Sequence, residues 1–217
     1  MKTVSTALFC IALLLSTACQ RTQYDDRRPG PVRVESREFG GYDIVKAGSA
    51  VNLEISAQKD FVMEIEAPEN FLSRVRTEVR GETLFISTGD LKPDFGKITV
   101  RISLPELKKL ELWGASAASV VGVKTDALEM QASGSSNLTI GGEVKSVKSA
   151  AIGASSIDAS NLKAAKAAAK ATGASTITLF AAEELEAEAL GASNIFYLGD
   201  PKNVKSNPIG SSRIEKK

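Results

Sequence analysis

Residues 114–175 read GASAASVVGVKTDALEMQASGSSNLTIGGEVKSVKSAAIGASSIDASNLKAAKAAAKATGAS, and a small-residue triplet returns through them at nearly constant spacing. The triplets are Gly114-Ala115-Ser116, Gly134-Ser135-Ser136, Gly153-Ala154-Ser155 and Gly173-Ala174-Ser175, followed by Gly191-Ala192-Ser193 and Gly210-Ser211-Ser212. Their glycines stand 20, 19, 20, 18 and 19 residues apart. So regular a period is the mark of a solenoid in which each coil stacks on its neighbour.

The residues around each glycine give the coil its construction. Four places on come Ala118, Leu138, Ile157, Ile177, Ile195 and Ile214; six places on come Val120, Ile140, Ala159, Leu179 and Tyr197. This period of two puts both side chains on one face of a strand. Ahead of the glycines the same alternation runs through Leu128, Met130 and Ala132, through Val147, Ser149 and Ala151, through Ala167, Ala169 and Ala171, and through Leu185, Ala187 and Ala189. Each coil is therefore expected to hold two or more short strands around a narrow dry interior, with the triplet turning the corner between them. Glycine reaches backbone angles closed to other residues, and Ala or Ser beside it allows close stacking. Leu162–Ala171 (LKAAKAAAKA) opposes this, because its composition is that of a helix-forming peptide. Ten residues make a marginal helix alone and tertiary context overrides propensity, so the repeat predicts a strand there, weak in local stability.

Upstream the pattern loosens but still alternates: Tyr42 to Val45, Val51-Leu53-Ile55, the neighbourhood of Val62, Val75 to Val79, Leu84 to Ile86 and Ile98-Val100-Ile102. Turn signals such as Gly40-Gly41, Gly48-Ser49 and Arg80-Gly81 separate them, and Glu69 to Val75 admits one helical turn. The expected architecture is all-β: a β-helix-like solenoid with coils of 18–20 residues, capped by an N-terminal antiparallel sheet. Solenoid ends need such covers.

At the N-terminus Lys2 precedes the apolar run Ala7 to Leu15, and Ser16-Thr17-Ala18 put small residues before Cys19. This reads as a secretory signal, the apolar run being far shorter than the roughly 20 residues that cross a bilayer. The segment resembles the lipobox of bacterial lipoproteins, with Ser16 three places before the cysteine and Leu15 one further back, which implies lipid attachment at Cys19. The only other cysteine, Cys10, lies in the part to be removed, so a thioether to lipid would occupy an otherwise unpaired thiol. Several acyl chains would hold the protein on a membrane without spanning it. The expected divisions are 1–18 signal peptide, 19–36 lipidated N-terminus and flexible tether, 37–104 N-terminal β region of the head domain and 105–217 repeat β-solenoid.

Composition limits function. Among 217 residues there is no histidine, which removes Ser-His and Cys-His nucleophile pairs and His-containing zinc sites. Basic and acidic side chains number 27 and 26, which leaves no electrostatic footprint for nucleic acid. No cofactor or metal motif stands out. Asp and Glu are the acids a catalyst here could use, and their densest cluster is Glu183, Glu184, Glu186 and Glu188. Alternation places Glu184, Glu186 and Glu188 on one outward face, which reads as a solvated charge row more readily than as a cation or sugar site. Lys163, Lys166 and Lys170 read as an ordinary soluble face. The triplet serines have no base beside them and repeat like structural corners.

Arg37, Phe39, Gly41, Tyr42, Ile44, Gly48, Val51, Asn52 and Leu53, the run ISLPELKKLELWGAS from Ile102 to Ser116, the serial triplets and the closing Tyr197, Gly199 and Pro201 together resemble the "putative autotransporter adhesin, head GIN domain" family. The resemblance covers about Arg37 to Ile214. It implies a β-helix-like body, exported in bacteria and often lipid-anchored. Trp113 departs from it, since a smaller residue is expected before the first triplet. The functional expectation is a non-catalytic, membrane-anchored lipoprotein of the cell envelope, at the outer membrane, acting as an adhesin-like interaction module on a cell-surface protein or glycan. A homo-oligomer has no direct support in the sequence. The alternative is a carbohydrate-active enzyme using Asp or Glu.

Overall fold

A computed structural model describes residues 29–89 and 96–217. The first half carries β1 (Val32–Ser36), β2 (Ile44–Gly48), β3 (Asn52–Ala57), β4 (Val62–Pro68), the single helical turn α1 (Glu69–Leu72), β5 (Arg76–Arg80), β6 (Thr83–Ser87), β7 (Thr99–Leu104) and β8 (Lys109–Trp113). The repeats form β9 (Ala117–Gly134), β10 (Asn137–Gly153), β11 (Ser156–Gly173), β12 (Thr176–Phe180), β13 (Glu184–Gly191), β14 (Asn194–Leu198), β15 (Asn203–Gly210) and β16 (Arg213–Lys216). The long strands β9, β10 and β11 each bend into two arms.

The first arms stack as one parallel ladder, β7-β3-β9-β10-β11-β12-β14-β16, and the second arms as another, β6-β2-β8-β9-β10-β11-β13-β15. Register is kept from coil to coil: Ala118, Leu138, Ile157, Ile177 and Ile195 lie over one another. So do Ala132, Ala151, Ala171 and Ala189, and every member of both columns is buried. The body is the all-β, β-helix-like solenoid that the repeat predicts.

Leu162–Ala171 is strand within β11, paired to β10 on one side and, from Lys166 onward, to β13 on the other. Ala167, Ala169 and Ala171 are buried while Lys166 and Lys170 point out. Strand wins here for a physical reason. A ten-residue helix keeps only alanine's propensity advantage, about 0.7 kcal/mol or less per residue. The strand gains hydrogen bonds to two neighbours and buries alternate methyls, each worth roughly 0.8 kcal/mol.

The N-terminal region supplies the expected antiparallel cap, β1 and β4 lying over β7 and β5 beside β6 at the outer end of the stack. Antiparallel pairing is confined to β1–β4, β4–β7 and β5–β6. β2, β3, β6, β7 and β8 run parallel and belong to the solenoid itself, with the β2–β3 layer seated between the β6–β7 layer and the β8–β9 layer. After the outermost strand β1 the chain thus enters the stack one layer in at β2–β3, leaves it through β4, α1 and β5, returns one layer outward at β6–β7 and then skips past β2–β3. The sequence hides this because the corner Gly48-Ser49-Ala50 lacks the coil-length spacing of the later triplets. β1 also falls within residues 19–36, the segment read as tether. Beyond β1, Arg37 fastens this end: Nε donates to Glu35 at 2.7 Å, and the two amino groups donate to Val75 O and Thr77 Oγ1 at 2.7 Å and to Leu72 O at 3.3 Å.

Candidate functional site

The six repeat glycines, Gly114, Gly134, Gly153, Gly173, Gly191 and Gly210, occupy the corners, with φ between 77° and 90°. At Gly134 a Cβ would lie 2.6 Å from Gly114 O in the layer before. Backbone here runs against backbone, so no side chain fits.

The serine closing each triplet has a role that the spacing alone does not reveal. Ser155, Ser175, Ser193 and Ser212 direct Oγ to the carbonyls of Ala132, Ala151, Ala171 and Ala189 in the preceding layer, at 2.9, 3.0, 3.0 and 2.8 Å. The same oxygens of Ser155, Ser175 and Ser212 accept from the N–H of Ile152, Thr172 and Ile209 at 3.0, 3.0 and 2.9 Å. Each of these serines bridges two coils where the ladder must turn. Ser116, Ser136, Ser155, Ser175 and Ser193 are buried. A buried, hydrogen-bonded hydroxyl without an adjacent base is not an activated nucleophile. The signal was present in the sequence: the third triplet position is Ser in all six copies, whereas the second is Ala in four and Ser in two.

Trp113, unexpected before the first triplet, is accommodated by Gly48, its register partner in β2. A Cβ on Gly48 would come 2.0 Å from the indole, so the ring lies against bare backbone.

The acidic row of β13 faces outward and is largely matched by lysines one layer back. Lys166 meets Glu184 at 3.2 Å and Lys170 meets Glu188 at 3.0 Å. Lys163 reaches instead over the Phe180 ring, 4.1 Å from its centre. At the other end of this face Glu111 binds Lys46 at 2.8 Å and Lys109 at 2.7 Å, and Lys109 binds Glu129 at 2.9 Å. Burial alone would raise the Glu111 carboxyl, but the hydrogen bonds from Lys109 and Lys46 outweigh it and hold it below its ordinary value. Tyr42, packed on Phe61 with ring centres 4.9 Å apart, has a buried hydroxyl with no partner among the described residues. Burial pushes that phenol up to about 12, so it stays neutral near neutral pH.

The bends joining first to second arms form a third, narrower side of the body, and along it runs a groove of about 580 Å³. Its walls carry Glu106, Asp126 and Glu143 together with Lys124, Lys145 and Lys163; its floor includes Val144, Ala164, Ala165 and Ala182, and Phe180 stands at one end. Thr125 donates to Glu106 at 2.7 Å, and Lys145 meets Asp126 at 2.8 Å. Sequence reading missed this groove, because its residues come from bends of successive coils and share no linear motif. Glu183 to Glu188, the cluster that the sequence offers instead, lies beyond its lining. Among the described residues no three His, Cys, Asp or Glu side chains converge as a metal site, and no helix is long and apolar enough to cross a membrane. Cys19 lies outside the described residues.

Two flat parallel ladders turning on glycine corners define a β-solenoid. The chain belongs to the family described as "putative auto-transporter adhesin, head GIN domain", which matches residues 41–201. Among solved structures it is similar to a putative adhesin from Bacteroides fragilis, with 21% identity and a TM-score of 0.72 over 88% of this chain and 99% of that one. A putative adhesin from Parabacteroides distasonis aligns with 19% identity and a TM-score of 0.57 over 87% and 98%. A putative lipid binding protein from the same species aligns with 19% identity and a TM-score of 0.54 over 87% and 97%. At these identities the likeness is one of fold. No curated protein matches the sequence.

Proposed function

We propose that this chain is a non-catalytic interaction module of the bacterial cell envelope, held at the outer membrane by lipid on Cys19 after removal of residues 1–18. The observation that carries the reading is the stack itself. Side chains repeat in register on rigid flat faces, layer after layer, a construction suited to recognising an extended surface. Membership of an adhesin family and neighbours described as adhesins or as lipid binding support it. Of the segment 19–36, the part ahead of Gly30 would act as the tether, and the body would present its faces to a cell-surface protein or glycan. The test is two-part. Cys19→Ala should move the protein from the membrane fraction to the soluble fraction and abolish incorporation of labelled fatty acid. No single acidic substitution should abolish binding to envelope polysaccharide or protein, though one can weaken it severalfold; screens empty across such material would refute the module.

The carbohydrate-active enzyme is the second reading, and the three carboxylates gathered in the groove favour it. Polysaccharide turnover abolished by Glu106→Gln, Asp126→Asn or Glu143→Gln alone would establish it in place of the first.

A further inference from the structure

We infer that the groove along the third side is a binding site for a neutral oligosaccharide segment; the inference rests on the interaction-module reading and gives it a location and a ligand class. Three ammonium groups and three carboxylates share its walls, so a ligand of either charge meets repulsion from half of them. A ligand that both donates and accepts hydrogen bonds, and carries no charge, can use all of them. Sugar hydroxyls do both.

The groove also holds groups whose partners are not taken. Glu143 stands in register between Lys124 on β9 and Lys163 on β11, yet forms an ion pair with neither. Elsewhere on the body register neighbours of this kind do close, as Lys109 with Glu129 at 2.9 Å and Lys170 with Glu188 at 3.0 Å. Here Lys163 turns instead to the Phe180 ring. An open carboxylate, a lysine resting on an aromatic face and Lys124 on the opposite side therefore stand in adjacent layers, roughly 4.8 Å apart. The pair Lys145–Asp126 is highly exposed, with 78% and 81% of the side chains accessible, and such a pair exchanges partners at little cost.

The floor completes the fit. Ala164, Ala165 and Ala182 keep it low, and the backbone beneath is pinned by Ala182 N–H donating to Ala164 O at 2.9 Å and Glu183 N–H to Ala165 O at 2.8 Å. A ligand thus meets a fixed bed, with little ordering needed on binding. Phe180 at one end offers a face for the C–H side of a pyranose once Lys163 swings to a hydroxyl. The volume lies within the usual range for ligand sites, roughly 300–1,000 Å³.

The experiment is a titration of the ¹⁵N-labelled full chain, using cellohexaose, maltohexaose, mannohexaose and chitohexaose as neutral probes and hexagalacturonate as the anionic control. At least one neutral hexasaccharide should shift the amides of Lys124, Glu143, Ala164 and Ala182, and hexagalacturonate should bind at least about tenfold more weakly, a difference near 1.4 kcal/mol. Phe180→Ala and Glu143→Gln should each weaken binding about tenfold while leaving the unfolding midpoint unchanged; Glu186→Gln, outside the groove, should leave affinity as it is. A hexasaccharide that binds elsewhere, with both groove variants unaffected, overturns the groove and leaves the interaction module standing. Preferential binding of hexagalacturonate overturns the neutral ligand class. Silence from every probe, with envelope material still captured, overturns the saccharide site alone; silence from both removes the module as well.

Discussion

At the residue scale the corners carry the fold. Gly134→Ala places a Cβ against Gly114 O while holding φ at +77°, and positive φ alone costs a non-glycine residue about 1–3 kcal/mol. Gly81 has φ +58° but open space where a Cβ would go, so Gly81→Ala should lose only the conformational part, about 1–2 kcal/mol. Urea unfolding of the two variants separates contact from conformation, and equal losses would show that stacking at the corner is not tight. Ser155→Ala removes the bridge to Ala132 O and leaves the Ile152 N–H without its acceptor, a loss of about 1–3 kcal/mol. An unchanged midpoint would mean that the bridge adds nothing. What the sequence made legible here was position: six glycines at coil length can only be turns. The serine bridge was legible in composition but not in mechanism, since spacing says nothing about which carbonyl a hydroxyl reaches. Trp113 looked misplaced because its explanation, Gly48, is distant in sequence and adjacent only after the chain doubles back.

At the element scale the ends and the charged faces behave differently from the repeats. Arg37 ties the chain after β1 to α1 and β5 through Leu72 O, Val75 O and Thr77 Oγ1. Each charged hydrogen bond is worth about 1.5–3 kcal/mol, and a solenoid transmits stability mainly between neighbours. Arg37→Ala should therefore speed amide exchange in β1 and β5 and leave β11 to β14 protected; uniform acceleration would show one cooperative unit. Glu111 sets a pH dependence. Its carboxyl is lowered in the folded state by Lys109 and Lys46, so its contribution is present above the ordinary value of 4.5 and is lost as pH falls through the lowered one. Replacing it with Gln should flatten the acid limb of the stability profile below that value, and identical limbs would show that the ion pairs hold no net stability. Element types were mostly readable from alternation, β1 in the segment read as tether being an exception, but pairing direction in the first half was not. Period two is the same for parallel and antiparallel partners, and only the coil-length repeat distinguishes them.

At the scale of the whole molecule, function follows from order along the stack. Columns of identical side-chain direction make faces, whereas bends make a groove, and the groove collects residues from five successive bends that no linear motif could announce. That is why the candidate site stayed invisible in the sequence while the class of protein did not. All of these readings depend on the ladder continuing unbroken through Leu162–Ala171, the one segment whose composition argues for a helix. The direct test is the set of backbone ¹³C chemical shifts for residues 162–171 in the folded chain. The account predicts strand-type Cα and Cβ shifts together with cross-coil contacts from Ala167 to Val147 and to Leu185. Helical shifts across those ten residues, with the contacts absent, would contradict it.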